Sequence, residues 1–365
     1  EEVGERPSKT LGNSTVGESP LSQRIFSLRN IASVLLTVAV LYLVYRELLA
    51  TDWRGAWASV QGANVAVFVL TFAVFYCSFS LRGLRWKALL GNVVGYDATV
   101  GRPMPSTLDL ARIMYVAWFV NCVTVARLGD AYRGCLLKRA AGVSFAVTLG
   151  TILAERLLDL LVLAAMLGAG VLVVFGGSLP TEATRALPAG LILSAIGVVG
   201  LLSMRRFRWA FEHILPGRLH AHYSRLEHGV IDSFRRLPLL IALSAAGWVL
   251  EGAALYFAVA AVGASVPVAG ALVVALAASL LTAVPFTPAG LGFTEAGMIV
   301  MLGWLGLDAP TATAVTLLYR VINYWSIVVF GFVLYLFSRN TSRPGKERLE
   351  TGLPVEIHKS SIGRS

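Results

Sequence analysis

The chain has 365 residues, 56% of them hydrophobic and only 14% charged, with a mean hydropathy of +0.71. Soluble domains carry about 25% charged residues, so a soluble enzyme, a disordered chain and a nucleic-acid binder are excluded and an integral membrane protein is expected. The formal charge of +10 and the pI near 9.8 then report cytoplasmic loops that face anionic lipid.

Residues 1–28 are polar and read as a disordered cytoplasmic tail. The first 24 lack the short apolar core and cleavage site of a signal peptide. A bilayer-crossing helix needs about 20 mostly apolar residues. Runs at 31–49, 65–82, 143–174, 186–203, 238–262 and 312–337 supply six such spans within a membrane domain of 29–338. Arg205 to Arg236 holds seven arginines inside a basic 204–237 loop, and a basic tail, 339–365, follows the last span. Both segments are expected on the cytoplasmic side, with both termini inside. The segments 46–64, 176–188 and 263–267 carry little net charge and are expected outside. Of the 31 basic residues all but five are arginines, set among abundant Ala, Val, Leu and Gly. That composition points to a GC-rich, bacterial genome and so to a multi-pass protein of the bacterial cytoplasmic membrane.

Two apolar stretches do not fit as simple spans. Residues 113–126 are short and basic on both sides, which favours a re-entrant or interfacial segment entering from the cytoplasmic face. Residues 268–284 and 296–307 flank the break Pro285-Phe-Thr-Pro-Ala-Gly-Leu-Gly292 and read as a second hairpin dipping in from outside, with two short full crossings as the alternative. The fold expected is therefore all-α and polytopic: six spanning helices plus two re-entrant hairpins, or eight short spans. A weak internal match supports an inverted repeat. Arg127-Leu-Gly129-Asp130 aligns with Gly290-Leu-Gly292 and the nearby Glu295, and Arg156 and Arg320 follow Gly129 and Gly292 by 27 and 28 residues. Broken helices at corresponding places in two halves point to a binding site near the midplane, because non-helical backbone at that depth must line a cavity or be buried in protein.

Ionisable groups within spans are costly and ask for a partner or a task. Glu155, Arg156 and Asp159 share one helix; Glu155 and Asp159 share a face, and Arg156 can pair with Asp159 three residues on. Glu251, Glu295 and Arg320 complete a set of four acids and two arginines, with Asn323 and Tyr324 beside Arg320 and with Arg127 and Arg133 at the inner edge. Arg156 and Arg320 either satisfy Glu251 or Glu155 as packing pairs or offer a guanidinium fork to an anionic headgroup. A cap at Thr294 would free the N–H groups of Gly290 to Thr294 as a second anion site, with Glu295 as dipole partner or as a titrating competitor for the substrate anion. His213, His220, His222 and His228 lie in the basic loop without the spacing of a metal site. No nucleotide-binding loop or hydrolase motif is present, so no catalytic residue, metal or cofactor is expected. The three cysteines imply no disulfide framework.

Arg127-Leu-Gly-Asp130 with Arg133, Glu155-Arg156-x-x-Asp159, Pro285-x-x-Pro288-x-Gly290-x-Gly292-x-x-Glu295 and Arg320 with Tyr324 occur in an order and spacing that resembles the flippase-like membrane domain of lysylphosphatidylglycerol synthases, over about residues 30–338. The resemblance implies movement of a lipid with an anionic headgroup, an aminoacylated phospholipid or a polyprenyl-phosphate-linked sugar, and in stand-alone relatives a tie to cell-envelope synthesis and its enzymes. Ala289 stands where that family often has glycine, and Asp130 where it often has glutamate. Fewer than 30 residues follow the last span, too few for a soluble aminoacyl-transfer domain, so the chain is not expected to make lysyl-lipid itself. Two other readings remain: a membrane glycosyl or acyl transferase using a lipid-phosphate donor with Glu155 or Asp159 as base, and a scaffold subunit of envelope synthesis.

Overall fold

A computed structural model describes residues 52–97, 104–124, 128–176, 217–282 and 288–341, with the single position 199. All of them belong to the unit formed by 50–365. The expected span 31–49, the span 186–203 apart from position 199, the tails 1–28 and 342–365, positions 285–287 of the expected break, Arg127 and His213 lie outside the described residues.

Every regular element among the described residues is helical. They are α1 (Trp53–Gln61), α2 (Val65–Asp97), α3 (Thr107–Val123), α4 (Leu128–Ala141), α5 (Phe145–Phe175), α6 (Gly217–Ser233), α7 (Leu237–Ala261), α8 (Val268–Leu281), α9 (Phe293–Trp304), α10 (Ala309–Arg320) and α11 (Ser326–Thr341). Four stretches are long and apolar enough to cross a membrane: Val65–Val93, Phe145–Phe175, His220–Ala261 and Ala309–Leu336. They coincide with the four expected spans that the described residues cover, and the chain is an integral membrane protein.

The differences from expectation have local causes. The second span runs well past residue 82, because Arg82 and Arg85 are buried rather than placed on a basic flank. Residues 113–123 of the short 113–126 stretch are the end of a longer helix. Ser106 and Asp109 form a capping box that starts α3 at Thr107, with Ser106 accepting from the Asp109 N–H at 3.2 Å. Its neighbour α4 packs against it, so these two short helices form one hairpin, and α8 and α9 form another. At 14 and 12 residues, α8 and α9 are shorter than a full crossing. The described part of the basic loop is helical: α6 continues through a 3-10 turn, Phe234–Arg236, into α7. It packs on α5 where Gly229 meets Gly150, and a Cβ on Gly150 would lie 2.4 Å from the Leu226 carbonyl oxygen. Small residues at helix crossings are what lets helices associate in lipid, where burying apolar surface gives no drive. The last span contains a π turn, Val321–Trp325, directly after Arg320.

The interior divides into two apolar clusters. Trp86, Leu89, Leu110, Leu137 and Leu158 anchor one, and Leu255, Ala275, Met298, Tyr319 and Ile322 the other. The long helices α2 and α7 pack along each other between the halves, and the two hairpins meet the cavity described next.

Candidate functional site

Each hairpin ends in a short helix whose first turn carries an acid, and each acid holds an arginine on the following long helix. In the first half Asp130 receives Arg156 Nη2 at 2.9 Å and Nε at 3.3 Å. In the second, Glu295 receives Arg320 Nε at 2.6 Å and also accepts from the Gly292 N–H at 2.6 Å. The partners are 26 and 25 residues apart. Arg156 therefore does not pair with Asp159, and neither arginine serves Glu251 or Glu155 as a direct partner. The geometry favours the acid in the first turn of the neighbouring short helix, where the helix dipole already stabilises a carboxylate.

The helix carrying Glu295 is capped at Gly292, with φ 87°, and not at Thr294, which is fully buried inside it. Glu295 takes the Gly292 N–H, so the proposed backbone anion site is partly filled by the dipole's own partner. Gly290 is left-handed at φ 67°, and so is Ala289 at φ 48°, a conformation that disfavours any side chain. Glycine, which the family resemblance leads one to expect at position 289, adopts that conformation freely. Pro288 begins the turn. Gly129 has a different reason: a Cβ there would fall 1.9 Å from the Ala117 carbonyl oxygen, so glycine is what allows α3 and α4 to meet.

A cavity of about 350 Å³ lies where the two hairpins converge. Of the expected residues, Arg156, Asp159, Glu251, Thr294, Arg320, Asn323 and Tyr324 line it. Among the described residues, Asp130 and Glu295 leave Nη1 of Arg156 and of Arg320 without an intramolecular hydrogen bond. Arg320 also lies over the Tyr324 ring, 4.9 Å from its centroid. Glu155 and Arg133 do not line the cavity. They form, with Arg85 and Asp159, a buried ionic web behind its wall. Arg85 bonds Glu155 at 2.9 Å and both Asp159 oxygens, Arg133 pairs with Glu155 at 2.8 Å, and Arg133 stacks 3.6 Å from the Trp86 ring centroid. Glu155 and Asp159 thus do share a face, and Arg85 is what they share.

Sequence reasoning missed Arg82, Arg85, Trp118 and Trp248. Arg82 lines the cavity, donates to Glu251 at 2.5 Å and sits 5.2 Å and 4.7 Å from the ring centroids of Trp118 and Trp248. Ser279 supplies the other Glu251 oxygen with a hydrogen bond at 2.8 Å. A signal was available: four acids in apolar segments against two arginines demand further cations, and the nearest lay at the end of the 65–82 run. Among the described residues no cluster of His, Cys, Asp or Glu could hold a metal.

The halves share more than the arginine and its acid. Offsetting the chain by 164 residues places Tyr319-Arg320-x-x-Asn323 on Glu155-Arg156-x-x-Asp159. Residues 30–331 match the lysylphosphatidylglycerol synthase TM region. A UPF0104 membrane protein of Methanocaldococcus jannaschii is 33% identical over 230 residues, 62% of this chain and 98% of the relative. Another, of Methanothermobacter thermautotrophicus, is 22% identical over 306 residues, 77% of this chain and 87% of the relative. A glycosyltransferase of Haloferax volcanii, AglD, is 25% identical over 353 residues, 86% of this chain but only 54% of that protein, so the chain spans about half its length. These relatives are archaeal and lend no support to a bacterial source. The match across the membrane domain, with the paired arginines at the hairpins, makes the chain a member of the lysylphosphatidylglycerol synthase transmembrane-region family.

Proposed function

We propose that the cavity receives the anionic headgroup of a membrane lipid and that the protein moves such lipids between leaflets. The observation that carries this reading is that three arginines, Arg82, Arg156 and Arg320, line one cavity between two helix hairpins, two of them with Nη1 unbonded among the described residues. Guanidinium stays charged in low dielectric and matches phosphate oxygens with paired N–H donors. Asp130 and Glu295 act as resident counter-ions that fix the arginines until a phosphate arrives. In this reading the hairpins enter from opposite faces and the basic segments keep both termini on the cytoplasmic side.

The test is native mass spectrometry of the purified protein with Arg156→Ala, Arg320→Ala and the milder Arg320→Lys. Phosphate-bearing lipids retained by the wild type are expected to fall by roughly tenfold or more in the alanine variants, the worth of a charge-assisted hydrogen bond, and by less in Arg320→Lys. Equal retention in all four proteins sinks the reading.

A second reading draws on the glycosyltransferase relative, with which most of this chain aligns. There the cavity holds a lipid-phosphate donor for transfer, in this chain or by a partner enzyme of envelope synthesis. Glu155 makes a poor base because two arginines hold it away from the cavity, which leaves Asp159. Transfer to a soluble acceptor in detergent distinguishes the two, since lipid movement yields no product.

A further inference from the structure

The three arginines on the cavity wall are held in two ways. Arg156 and Arg320 each pair with an acid of their own half, Asp130 and Glu295. Arg82, on α2, pairs instead across the halves with Glu251 on α7, 169 residues away, at 2.5 Å. Both members are buried, Arg82 at 7% and Glu251 at 9% exposed, and each carries a second contact that leads onward. The Arg82 guanidinium lies 5.2 Å from the ring centroid of Trp118, on α3 of the first hairpin. The other Glu251 oxygen accepts from Ser279, on α8 of the second hairpin, at 2.8 Å. One string of side chains, Trp118 to Arg82 to Glu251 to Ser279, therefore runs along the cavity wall from one hairpin to the other. The Trp248 ring, 4.7 Å from Arg82, backs its middle.

The other ties of these elements are of a different kind. α3 packs on α11 with Phe119 against Gly331, and α8 packs on α7 with Leu272 against Gly252. Such apolar crossings do not respond to an anion in the cavity. An ion pair does: a phosphate that takes the Arg82 N–H donors draws them from Glu251, and two anions at one guanidinium repel strongly in low dielectric. The ligand thus binds better to the arrangement in which the Arg82–Glu251 link is open, which is the condition for a ligand to drive a conformational change.

We propose that this string is a strap that holds the two hairpins together while the cavity is empty, and that an anionic phosphate reaching Arg82 releases it, so that binding frees one half to move against the other. The inference rests on the anionic-lipid reading above and adds the step that couples a bound phosphate to motion between the halves. By linkage, a change that weakens the strap spares the ligand the work of opening it, so strap variants hold the ligand more tightly.

The experiment puts one spin label on each hairpin of the full chain, at Ala131→Cys on α4 and Val300→Cys on α9, both exposed, with the three native cysteines replaced by alanine. Pulsed EPR reads the distance between the labels in neutral detergent without lipid, with phosphatidylglycerol and with inorganic phosphate, and native mass spectrometry reads the lipid bound in the same samples. Phosphatidylglycerol is expected to convert a short distance into a longer one. Ser279→Ala and Trp118→Leu each remove one link and should raise the lipid-free population of the longer distance about three- to tenfold, the worth of one hydrogen bond or cation–π contact. Glu251→Gln, which takes the charge from the pair, should raise it by about tenfold or more. Each of the three should raise retention of phosphatidylglycerol by a similar factor, whereas a residue that only supports the fold would lower it. Arg156→Ala should lose the lipid-driven shift together with the lipid. A shift with phosphatidylglycerol alone makes the lipid the trigger and a shift with inorganic phosphate as well makes it the bare anion; both support the strap. Lipid bound with no change of distance, or strap variants that keep the wild-type distance and retention, overturns the strap and leaves the phosphate reading standing. Retention unaffected by Arg156→Ala and Arg320→Ala overturns the phosphate reading, and the strap with it.

Discussion

From 65 to 175, and again from 237 to 325, the chain runs a long helix, two short helices packed on each other, and a second long helix whose arginine is held by the acid of the last short helix. What surrounds that shared pair differs. In the first half Arg156 is flanked by Glu155 and Asp159, which call in Arg85 and Arg133. In the second half the corresponding positions are Tyr319 and Asn323, and Met298, buried against the Tyr319 cluster, follows Glu295 by three residues as Arg133 follows Asp130. One plan therefore tolerates either an ionic or a mostly neutral surround, while both halves keep an arginine on the cavity wall and an acid that holds it. The kept pair is the part on which the proposed function rests, and the ionic web is one of two arrangements around it.

The comparison breaks most visibly at Arg85. Its removal strands Glu155 and Asp159 with Arg133 as the remaining partner, both acids nearly buried, and an uncompensated buried charge costs about 3–5 kcal/mol. Arg85→Met should lower the thermal midpoint in detergent by many degrees or prevent folding. Rewriting the web toward the second half, with Arg85→Met, Arg133→Met, Glu155→Tyr and Asp159→Asn together, removes two charges of each sign and should recover most of that loss. A quadruple variant no more stable than Arg85→Met alone would show that the web does more than pack.

A smaller effect separates the resident acids from the arginines they hold. Asp130→Asn and Glu295→Gln keep a hydrogen-bond acceptor and remove the charge that competes with a lipid phosphate. Each should raise retention of anionic lipid about three- to tenfold, the scale of one hydrogen bond, measured on the wild-type lipid mixture. Equal gains would show that the two halves meet the headgroup alike. A gain in one variant and none in the other would assign the phosphate to a single half.

The spans were legible in sequence because about 20 apolar residues have few other uses. The part of the break that is described, 288–292, was legible from its proline and glycines, and so was the repeat of arginine after hairpin. Arg82 and Arg85 were not, because a basic flank and a buried cation look alike in one dimension. Only the partner carboxylates on α5 and α7 tell them apart, and those lie 70 to 169 residues away. The arginine partners were misread for a related reason. Asp159 is the near neighbour of Arg156 in sequence, but Arg85 already engages it, while Asp130 arrives through the fold of the hairpin. Thr294 looked like a cap because capping residues are read by type, whereas here a glycine with positive φ starts the helix and the threonine turns inward.

Asp308 provides a modest stability test on the helix that carries Arg320. The Thr311 hydroxyl first, and then the Thr311 N–H at 3.3 Å, hydrogen-bond its carboxylate and hold the group below the usual aspartate range. A lowered folded-state pKa means that its contribution is present above the unfolded pKa and fades as pH falls through the folded one. Asp308→Ala should cost about 1 kcal/mol at neutral pH, as loss of a cap does, and the gap between variant and wild-type thermal midpoints should narrow in acid. A gap that stays constant with pH would mean that the effect comes from the helix start and not from the charge.

The smallest expected effect lies at the second hairpin's turn. Ala289 at φ 48° pays for a left-handed backbone that glycine adopts freely, and its carbonyl lies 3.5 Å from Arg320 Nη2. Ala289→Gly relieves that strain but gives the unfolded chain more freedom, and the two terms partly cancel to leave a gain of about 0.5 kcal/mol. The thermal midpoint should rise by a degree or so. Lipid retention should be unchanged, because the turn keeps its path and Glu295 keeps Arg320 in place. A fall in retention with a rise in stability would show instead that the alanine methyl, on the cavity wall, shapes the headgroup site itself.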